Sequence, residues 1–507
     1  MPARQGIINM TKSLMFLGTG SDVGKSITTA AFCRIFRRKG FNVAPFKAQN
    51  MSNNSYVTIE GGEIGRAQVV QAEAAGVIPS VHMNPILLKP STGLGAQIIL
   101  QGKVFNRIEA AKYHGIKPKL KKTVMESYNI LAEKYELILM EGAGSCCEMN
   151  LKKNDLVNLP MAMTVGAPCI LVADIDRGGV FAQLIGSYDL MSARESKMII
   201  GFIINKFRGD PGLFIDGIRY IEKKTGKPVL GLVPFFNDIR IDSEDSVAVQ
   251  FDKLPMKPVG KKTVNIAVIR LPAISNFTDL EILNMEKDVV VNYLSDKKDL
   301  TDDYDFLIIP GTKNVMEDAA WLSRLGWKKR IREFAEKGKS ILGICGGYQI
   351  LGKTVCDPHG VESGRKKISG LDILPVETVL EKSKIVRKVT GRSLSNNKAV
   401  KGYEIHMGKT RIINNSGMSF LRLKEENGKE AWTDGCFIEN RYIAGTYVHG
   451  ILDTPGFRGE FLNRLRKMKR LKERRPGKGR AARFREYDRL ADHFEKYCDV
   501  DRIIRNV

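Results

Sequence analysis

The chain has 507 residues, 43% of them hydrophobic and 27% charged, which predicts two or three soluble domains that each bury a core. No uncharged apolar stretch approaches the roughly 18 residues that a membrane span needs, and the first residues form no apolar signal segment, so membrane insertion and export are not expected. The eight cysteines are scattered without a CxxC pair. This argues against a disulfide framework and a zinc site, and it predicts a reducing cytoplasm.

The charge balance is strongly basic, with 80 Lys and Arg against 56 Asp and Glu and a formal net charge of +24. The densest basic segment spans residues 464–485. Such an excess indicates a solvated basic surface, an arm that binds nucleic acid, or a field that attracts a polyacidic small substrate. Charge alone does not choose among these three.

Short apolar runs alternate with amphipathic helical patterns in the first half: SLMFLGTG, FNVAPFK, YELILMEGAG, PCILVADID and MIIGFIINKF. This alternation predicts an α/β fold with a doubly wound, mostly parallel sheet and ligand loops at the carboxyl ends of its strands. A charged stretch with two prolines, residues 251–262, predicts a domain boundary, and a second α/β pattern follows it. We expect a first domain over residues 1–255 and a second over residues 263–507, with a basic helical extension from about 458.

The motif GTGSDVGKS lies between a predicted strand and a predicted helix. Its turn would direct backbone N–H groups and a helix N-terminus toward phosphate oxygens, with Lys25 on the β- and γ-phosphates and the Ser26 hydroxyl on Mg²⁺. The strict P-loop pattern has glycine where this chain has Thr19. The predicted nucleotide-binding residues are Gly20, Val23, Gly24, Lys25 and Ser26.

Carboxylates follow two further strands, Glu141 in MEGAG and both Asp174 and Asp176 in VADIDRGG. A carboxylate at a strand end opposite a P-loop serine is where Mg²⁺ finds a second ligand, and a plain cap or turn is the alternative role. We predict a metal site of Ser26, Glu141 and Asp174. The stretch KAQNMSNNS, residues 47–55, predicts either a polar surface turn or a site that hydrogen-bonds substrate carboxylates and amides.

Cys345 follows the apolar run ILGI and precedes two glycines. A thiol at a sharp strand-to-helix turn lies near a helix N-terminus, which lowers its pKa toward the thiolate. Gly346 would leave room for a substrate and allow backbone N–H groups to form an oxyanion hole. His449 in AGTYVHG follows a strand and is the predicted base, with His406 in GYEIHMG as the competitor.

ICGGYQ with a later YVHG resembles the class I glutamine amidotransferases, a flavodoxin-like α/β fold. Joined to a P-loop domain of the dethiobiotin synthetase type, this pattern resembles the cobyric acid synthase family. The motifs stand in the family's order: APFKAQNMSNNS, GGEIGRAQ, MNPILLKP, EGAGS, LVADIDRGGVFA, NKFRGD, PGTKN, GICGGYQILG, GYEIHMG and GTYVHG, with YDRLADHFE as the closing helix. The resemblance covers nearly the whole chain.

The resemblance implies an ATP- and Mg²⁺-dependent ligase that takes ammonia from glutamine. Its implied reaction is the amidation of the b, d, e and g carboxylates of adenosylcobyrinic acid a,c-diamide in cobalamin biosynthesis. No redox cofactor, membrane or nucleic acid is expected. The nearer alternative is cobyrinic acid a,c-diamide synthase, and from another class a partition-type, DNA-binding P-loop ATPase, which would need neither Cys345 nor His449. Because ammonia loses its nucleophilicity when it is protonated in bulk water, the fusion predicts a dry passage between the domains.

The family's site residues follow from its motifs. The resemblance places the nucleophile on Cys345, the base on His449, and oxyanion donors on Gly311 and Gly346. Ordinary class I enzymes have a glutamate two residues after the histidine, and this chain has Ile451 there. The cobyric branch also lacks this acid. Asp453 or a backbone carbonyl is therefore the candidate for holding the imidazole. Side chains within the family-like motifs predict a corrinoid site: Lys47, Gln49, Asn50, Arg66 and Lys89.

Overall fold

The computed structural model describes residues 11–91, 95–108, 117–153, 155–236, 239–242, 256–439, 442–477 and 479–507. Residues 251–255 of the predicted domain boundary lie outside these ranges. In the part of the chain that is described, no helix is both long and apolar enough to span a bilayer.

The first half contains the following described strands: β1 (Lys12–Gly18), β2 (Val43–Phe46), β3 (Gln49–Met51), β4 (Ser55–Val57), β5 (Glu63–Gly65), β6 (Ile86–Ser91), β7 (Gly95–Leu100), β8 (Lys103–Ile108), β9 (Leu137–Glu141), β10 (Cys169–Asp174), β11 (Ile199–Phe207) and β12 (Val229–Pro234). Its helices are α1 (Lys25–Arg38), α2 (Arg66–Ala75), α3 (Lys117–Ala132), α4 (Met149–Lys152), α5 (Leu159–Val165), α6 (Val180–Asp189), α7 (Ala193–Met198) and α8 (Ile215–Thr225).

A parallel sheet in the order β12-β11-β10-β1-β9-β2 forms the centre of this half. Its strands are continuous apolar runs because both faces are covered. In β1, Leu14 and Phe16 join one core cluster with α1, whereas Met15 and Leu17 join the cluster on the opposite face. The carboxyl ends of β10, β1 and β9 are neighbours, so the P-loop, Glu141 and the loop after β10 meet at one edge. The predicted parallel sheet is confirmed.

The second half contains the strands β13 (Val264–Ile269), β14 (Val289–Leu294), β15 (Phe306–Ile309), β16 (Ser340–Ile344), β17 (Thr354–Cys356), β18 (Lys367–Ser369), β19 (Val376–Ser393), β20 (Ala399–Ile412), β21 (Leu421–Glu425), β22 (Ala431–Asp434), β23 (Cys436–Ile438), β24 (Ile443–Thr446) and β25 (Val448–His449). Its helices are α9 (Val315–Arg324), α10 (Trp327–Glu336), α11 (Gly346–Leu351), α12 (Pro455–Met468), α13 (Arg480–Tyr497) and α14 (Val500–Arg505).

Two sheets build the second half. The first has the order β14-β13-β15-β16-β24-β23 and is parallel except for β23 at its edge. The second contains the long hairpin β19–β20, whose strand β20 pairs with β25. This arrangement brings the turn after β16 next to the end of β25, where Cys345 and His449 lie. The second α/β domain is therefore confirmed as predicted.

The C-terminal helices return to the first half of the chain. On α13, Phe494 packs against Phe32 of α1 with ring centroids 6.2 Å apart, and Asp488 pairs with Arg34 at 2.8 Å. A basic residue before α13 is also paired within the molecule, since Arg466 contacts Asp288 at 2.8 Å. The last helices therefore contact α1, the helix that follows the P-loop. The domain limits 1–255 and 263–507 stay a prediction.

A cluster of four charged side chains joins both halves and the C-terminal helix. Arg66 at the start of α2 donates to Asp242, and Arg483 on α13 lies 3.6 Å from Asp242 and 3.4 Å from Asp453. Burial opposes ionisation of Asp242, but the two guanidinium groups outweigh it and lower its pKa to about 2. The cluster fixes the segment just after His449 against the first half.

Replacing Arg483 with Met would leave the buried Asp242 and the partly exposed Asp453 with a single arginine. We expect the free energy of unfolding to fall by about 3 kcal/mol, because breaking a buried ion pair strands a charge in a poorly solvated place. Urea denaturation of the two proteins measures this. The matched control is Arg485→Met on the exposed side of α13, for which we expect a change within about 0.5 kcal/mol. Equal losses in both variants would contradict a stabilising role for the cluster.

Candidate active site

Cys345 occupies a strained turn between β16 and α11. Its φ is 51° and its ψ is −108°, a conformation that non-glycine residues rarely adopt and that clusters at functional sites. A Cβ at Gly347 would collide with the carbonyl of Ile309, so only glycine allows the helix to approach the sheet this closely. The sequence thus positions a thiol, 8% exposed, at the carboxyl edge of the second sheet.

His449 lies beside this thiol and is held by Asp279. The His449 Nδ1 donates to Asp279 Oδ2 at 2.6 Å, and the backbone N–H of Gly450 donates to Asp279 Oδ1 at 2.9 Å. Cys345 and His449 line the same cavity, and the sulfur is close enough to the imidazole to raise the pKa of His449. The three residues have the arrangement expected of a nucleophile, a base and a group that orients the base, and these roles stay a prediction.

The carboxylate also sets the charge of the imidazole. Burial opposes the charged form of His449, but Asp279 and the Cys345 sulfur outweigh it and raise its pKa to about 10. A protonated His449 is therefore favoured at neutral pH. Asp279 was missed in the sequence because it lies in the 3-10 helix Phe277–Met285, far along the chain from the histidine. Asp453 instead contacts Arg483.

His406, the competing base, has a different environment. Its Nδ1 lies 2.9 Å from the Gly408 carbonyl, and its ring stacks on Tyr447 with centroids 3.6 Å apart. Burial, together with charges that include His449, lowers the pKa of His406 to about 3. A neutral ring of such low basicity is a poor proton acceptor, so the geometry favours His449 as the base.

The predicted oxyanion glycines both lie at the site. A Cβ at Gly311 would come within 3.0 Å of His449 Cε1, and one at Gly346 within 3.0 Å of the Thr312 nitrogen. Close backbone approach of this kind is what an oxyanion hole needs. Their role as donors stays a prediction.

The P-loop is formed as the motif predicts. Gly24 has a φ of 100°, and Lys25 Nζ donates to the carbonyls of Gly20 at 2.7 Å and Gly144 at 2.9 Å. The Val23 carbonyl accepts from Asn205 Nδ2 at 3.0 Å. These contacts close the loop around the position where phosphates bind in P-loop proteins.

Glu141 lies beside the P-loop serine and is surrounded by donors. Its Oε1 accepts from Ser26 Oγ and from Lys47 Nζ, each at 2.8 Å, and its Oε2 accepts from Gln71 Nε2 at 2.6 Å. A hydroxyl and a carboxylate next to a phosphate site fit a Mg²⁺ ion, which prefers oxygen ligands. Asp174 pairs with Lys206 at 2.8 Å. No group of three or more His, Cys, Asp and Glu suited to a metal occurs among the described residues.

The predicted corrinoid residues are not gathered into one open surface. Lys47 lies beside the P-loop, where it contacts Glu141. Arg66 belongs to the charged cluster, and Lys89 pairs with Glu63. Asn50 is buried and donates to Gln68 at 3.2 Å, whereas Gln49 is half-buried. Their corrinoid role stays a prediction.

A cavity of about 50 Å³ lies at the thiol and is lined by residues of both halves. Cys345, His449 and His406 line it together with Lys89 of β6 and Lys384 of β19. Both lysines contact the buried Glu63, Lys89 at 2.5 Å, so one carboxylate joins the two halves beside the thiol. Sequence patterns gave no signal for Lys384.

Comparison with known proteins matches both halves to family models. Residues 14–248 match a CobQ/CobB/MinD/ParA nucleotide binding domain, and residues 265–457 match a CobB/CobQ-like glutamine amidotransferase domain. A cobyric acid synthase of Syntrophobacter fumaroxidans is 45% identical over 98% of this chain and 99% of its own length. One from Chlorobium phaeobacteroides (strain DSM 266) is 47% identical over 97% of this chain and 96% of its own.

The chain belongs to the cobyric acid synthase family. A further member from a Thermoanaerobacter species is 45% identical over 97% of this chain and 98% of its own length. Among solved structures, PurLQS from Thermotoga maritima aligns with 40% of this chain and 99% of its own, with 21% identity and a TM-score of 0.32. Within this cobyric acid synthase family member, the nucleotide-binding module precedes the glutamine amidotransferase module, as the motifs predict.

Replacing Asp279 with Asn keeps the shape of the side chain but removes its charge. We expect kcat/KM for glutamine hydrolysis to fall about 10³-fold, because the amide no longer fixes the reactive tautomer. The pKa of His449 should also fall, so the alkaline limb of the pH profile should move to lower pH. The profile of kcat/KM against pH measures both effects.

The matched control is Asp453→Asn, which changes a carboxylate that contacts Arg483 rather than His449. We expect this variant to keep the alkaline limb of the unmodified protein. A larger loss or a larger shift in Asp453→Asn than in Asp279→Asn would contradict the assignment of the orienting group.

Proposed function

We propose that this protein catalyses the glutamine-hydrolysing, ATP-dependent amidation of the b, d, e and g carboxylates of adenosylcobyrinic acid a,c-diamide. The observation that carries the proposal is the Cys345–His449–Asp279 arrangement in a chain that also contains a P-loop pocket. The names of the relatives support the corrinoid substrate. The cytoplasmic location stays a prediction.

The glutaminase step follows from the protonated state of His449 beside Cys345. The Cys345 thiolate attacks the glutamine side-chain carbonyl, and the N–H groups near Gly311 and Gly346 would stabilise the oxyanion. The His449 imidazolium donates its proton to the departing nitrogen, which leaves as ammonia. The neutral imidazole then takes a proton from water, which hydrolyses the thioester to glutamate. Asp279 stabilises the imidazolium throughout.

The synthase step needs an activated carboxylate, because a carboxylate anion is a poor electrophile. A substrate carboxylate oxygen attacks the γ-phosphate of ATP to form an acyl phosphate and release ADP, and ammonia then attacks the acyl carbon, expels phosphate and leaves the amide after loss of a proton. Lys25 would hold the phosphate oxygens, and Lys47 lies close enough to Ser26 and Glu141 to add a second positive charge. Ser26 and Glu141 would hold Mg²⁺, which supplies charge neutralisation to the phosphates.

The contacts between the halves support a passage for ammonia from Cys345 toward the first domain. The cavity at the thiol is lined by Lys89 from the first half as well as by residues of the second. The backbone N–H of Ser55 donates to Asn276 at 2.9 Å, and Tyr403 donates to the Ser55 carbonyl at 3.2 Å. These bonds hold the two halves together, and a closed contact of this kind would keep bulk water from protonating the nucleophile.

The basic charge supports this proposal more than binding of DNA. Within the segment 464–485, Arg466, Lys469 and Arg483 have carboxylate partners in the same chain, at 2.8, 2.9 and 3.4 Å. Charges that are neutralised within the fold contribute little to attraction of a polyanion.

Two substitutions should separate the two chemistries. We expect Lys25→Met to abolish amidation with either glutamine or free ammonia while glutamine hydrolysis persists. We expect Cys345→Ala to abolish glutamine hydrolysis while free ammonia still supports amidation, because the synthase pocket is unchanged. Mass spectrometry of the corrinoid counts the acid-to-amide conversions, and an ammonia assay follows hydrolysis.

The matched control for the thiol is Cys436→Ala. This second buried cysteine lies in β23 of the same sheet, and burial raises its pKa to about 12. It should keep both activities. Loss of hydrolysis in Cys436→Ala but not in Cys345→Ala would refute the assignment of Cys345 as the nucleophile. If the unmodified protein caused no mass change in the corrinoid, the proposed substrate would be refuted.

A further inference from the structure

The two ring nitrogens of His406, which lies beside the thiol, have different hydrogen-bond environments. The Gly408 carbonyl can only accept, so His406 Nδ1, at 2.9 Å, carries the hydrogen and donates it. His406 Nε2 is then an acceptor in the neutral ring. It is buried, and it has no hydrogen-bond partner within the part of the chain that the structure describes.

The ring is held in this orientation from several sides. It stacks on Tyr447 with an interplanar angle of 12°, and the Tyr447 hydroxyl accepts from Gln349 Nε2 at 3.0 Å. The residue is 8% exposed. A buried acceptor without a partner costs folding free energy, so its retention in a fixed ring calls for a ligand that donates to it.

The location of the ring identifies that ligand. His406 lines the same cavity as Cys345 and His449, and the preceding carbonyl, that of Ile405, lies 3.5 Å from the Cys345 sulfur. The group of glutamine that must reach this cavity is its side-chain amide, whose nitrogen carries two hydrogens. One amide hydrogen can meet an acceptor while the nitrogen lone pair faces the proton on His449.

We propose that His406 Nε2 accepts a hydrogen bond from the side-chain amide N–H of bound glutamine and so selects the amide over the carboxylate of glutamate. This inference rests on the proposed function, since it assumes that glutamine reacts at Cys345. The low basicity of the ring supports it, because burial lowers the pKa of His406 to about 3 and the lone pair stays available at any working pH.

The same lone pair of His406 Nε2 would weaken the binding of the product, glutamate. A carboxylate presents only acceptors, so the glutamate formed by hydrolysis would place an oxygen lone pair against His406 Nε2. Sites that pair a substrate donor reject the analogue that lacks it, because a buried polar group is then left without a partner. His406 would therefore both position glutamine and promote release of glutamate.

A matched pair of substitutions separates the two ring nitrogens. His406→Asn places an amide nitrogen near the position of Nδ1, so it can still donate to Gly408, but it has nothing at the position of Nε2. His406→Gln reaches the position of Nε2 with a carbonyl oxygen that can accept. The readouts are kcat/KM for glutamine and for the γ-methyl ester of glutamate, which has no amide hydrogen, together with the inhibition constant of glutamate.

We expect His406→Asn to lower kcat/KM for glutamine about tenfold relative to the ester, as the loss of one hydrogen bond implies. Glutamate should inhibit this variant more tightly than the unmodified protein, while His406→Gln should restore most of the preference for the amide. Free ammonia should still support amidation in both variants, which shows that they are folded.

Two results would overturn the proposal. The first is an equal loss on glutamine and the ester with no change in glutamate inhibition, since a purely structural histidine would act on both substrates. The second is no loss on glutamine in His406→Asn. Failure of the proposed function is distinguishable, because the unmodified protein would then release no ammonia from glutamine.

Discussion

Ammonia is a nucleophile only while it is unprotonated, and this requirement fixes how the two halves of the chain must meet. A thiol that releases ammonia into bulk water would lose most of it as ammonium before an acyl phosphate could react. The cavity at Cys345 is lined in part by Lys89 of the first half, and Glu63 contacts both Lys89 and Lys384 across the interface. In the proposed mechanism, contact between the halves therefore serves the chemistry as well as the packing.

The same interface positions His449. Ser55 and Asn54, at the end of the polar stretch after β2, contact Asn276 and Thr278, which lie within three residues of Asp279. On the other side, Tyr403 contacts Ser55 and its ring stacks on the His449 ring with centroids 5.4 Å apart. Docking of the nucleotide-binding half and orientation of the imidazole therefore depend on shared residues. This gives a physical reason for a substrate in one half to influence hydrolysis in the other.

The parts of the site that local patterns encode could be predicted from the sequence. A glycine-rich turn after an apolar strand predicts the P-loop, and a cysteine before two glycines predicts the turn that holds Cys345, because both depend on a few consecutive residues. Asp279 could not be found in this way, since it meets His449 only through a tertiary contact spanning 170 residues. Arg66 shows the same limit. Its substrate contact stays a prediction, but its pairing with Asp242, 176 residues away, could not be found in the sequence because a buried pair leaves no local pattern.

The central claim, that nitrogen passes between the halves without entering bulk water, is tested most directly by isotope competition. The protein would be given amide-¹⁵N glutamine, ATP and the corrinoid diamide in the presence of excess unlabelled ammonium, and the ¹⁵N content of the product amides would be measured by mass spectrometry. The account predicts that the new amides carry the label of glutamine. Label diluted to the ratio of the bulk ammonium pool would contradict it.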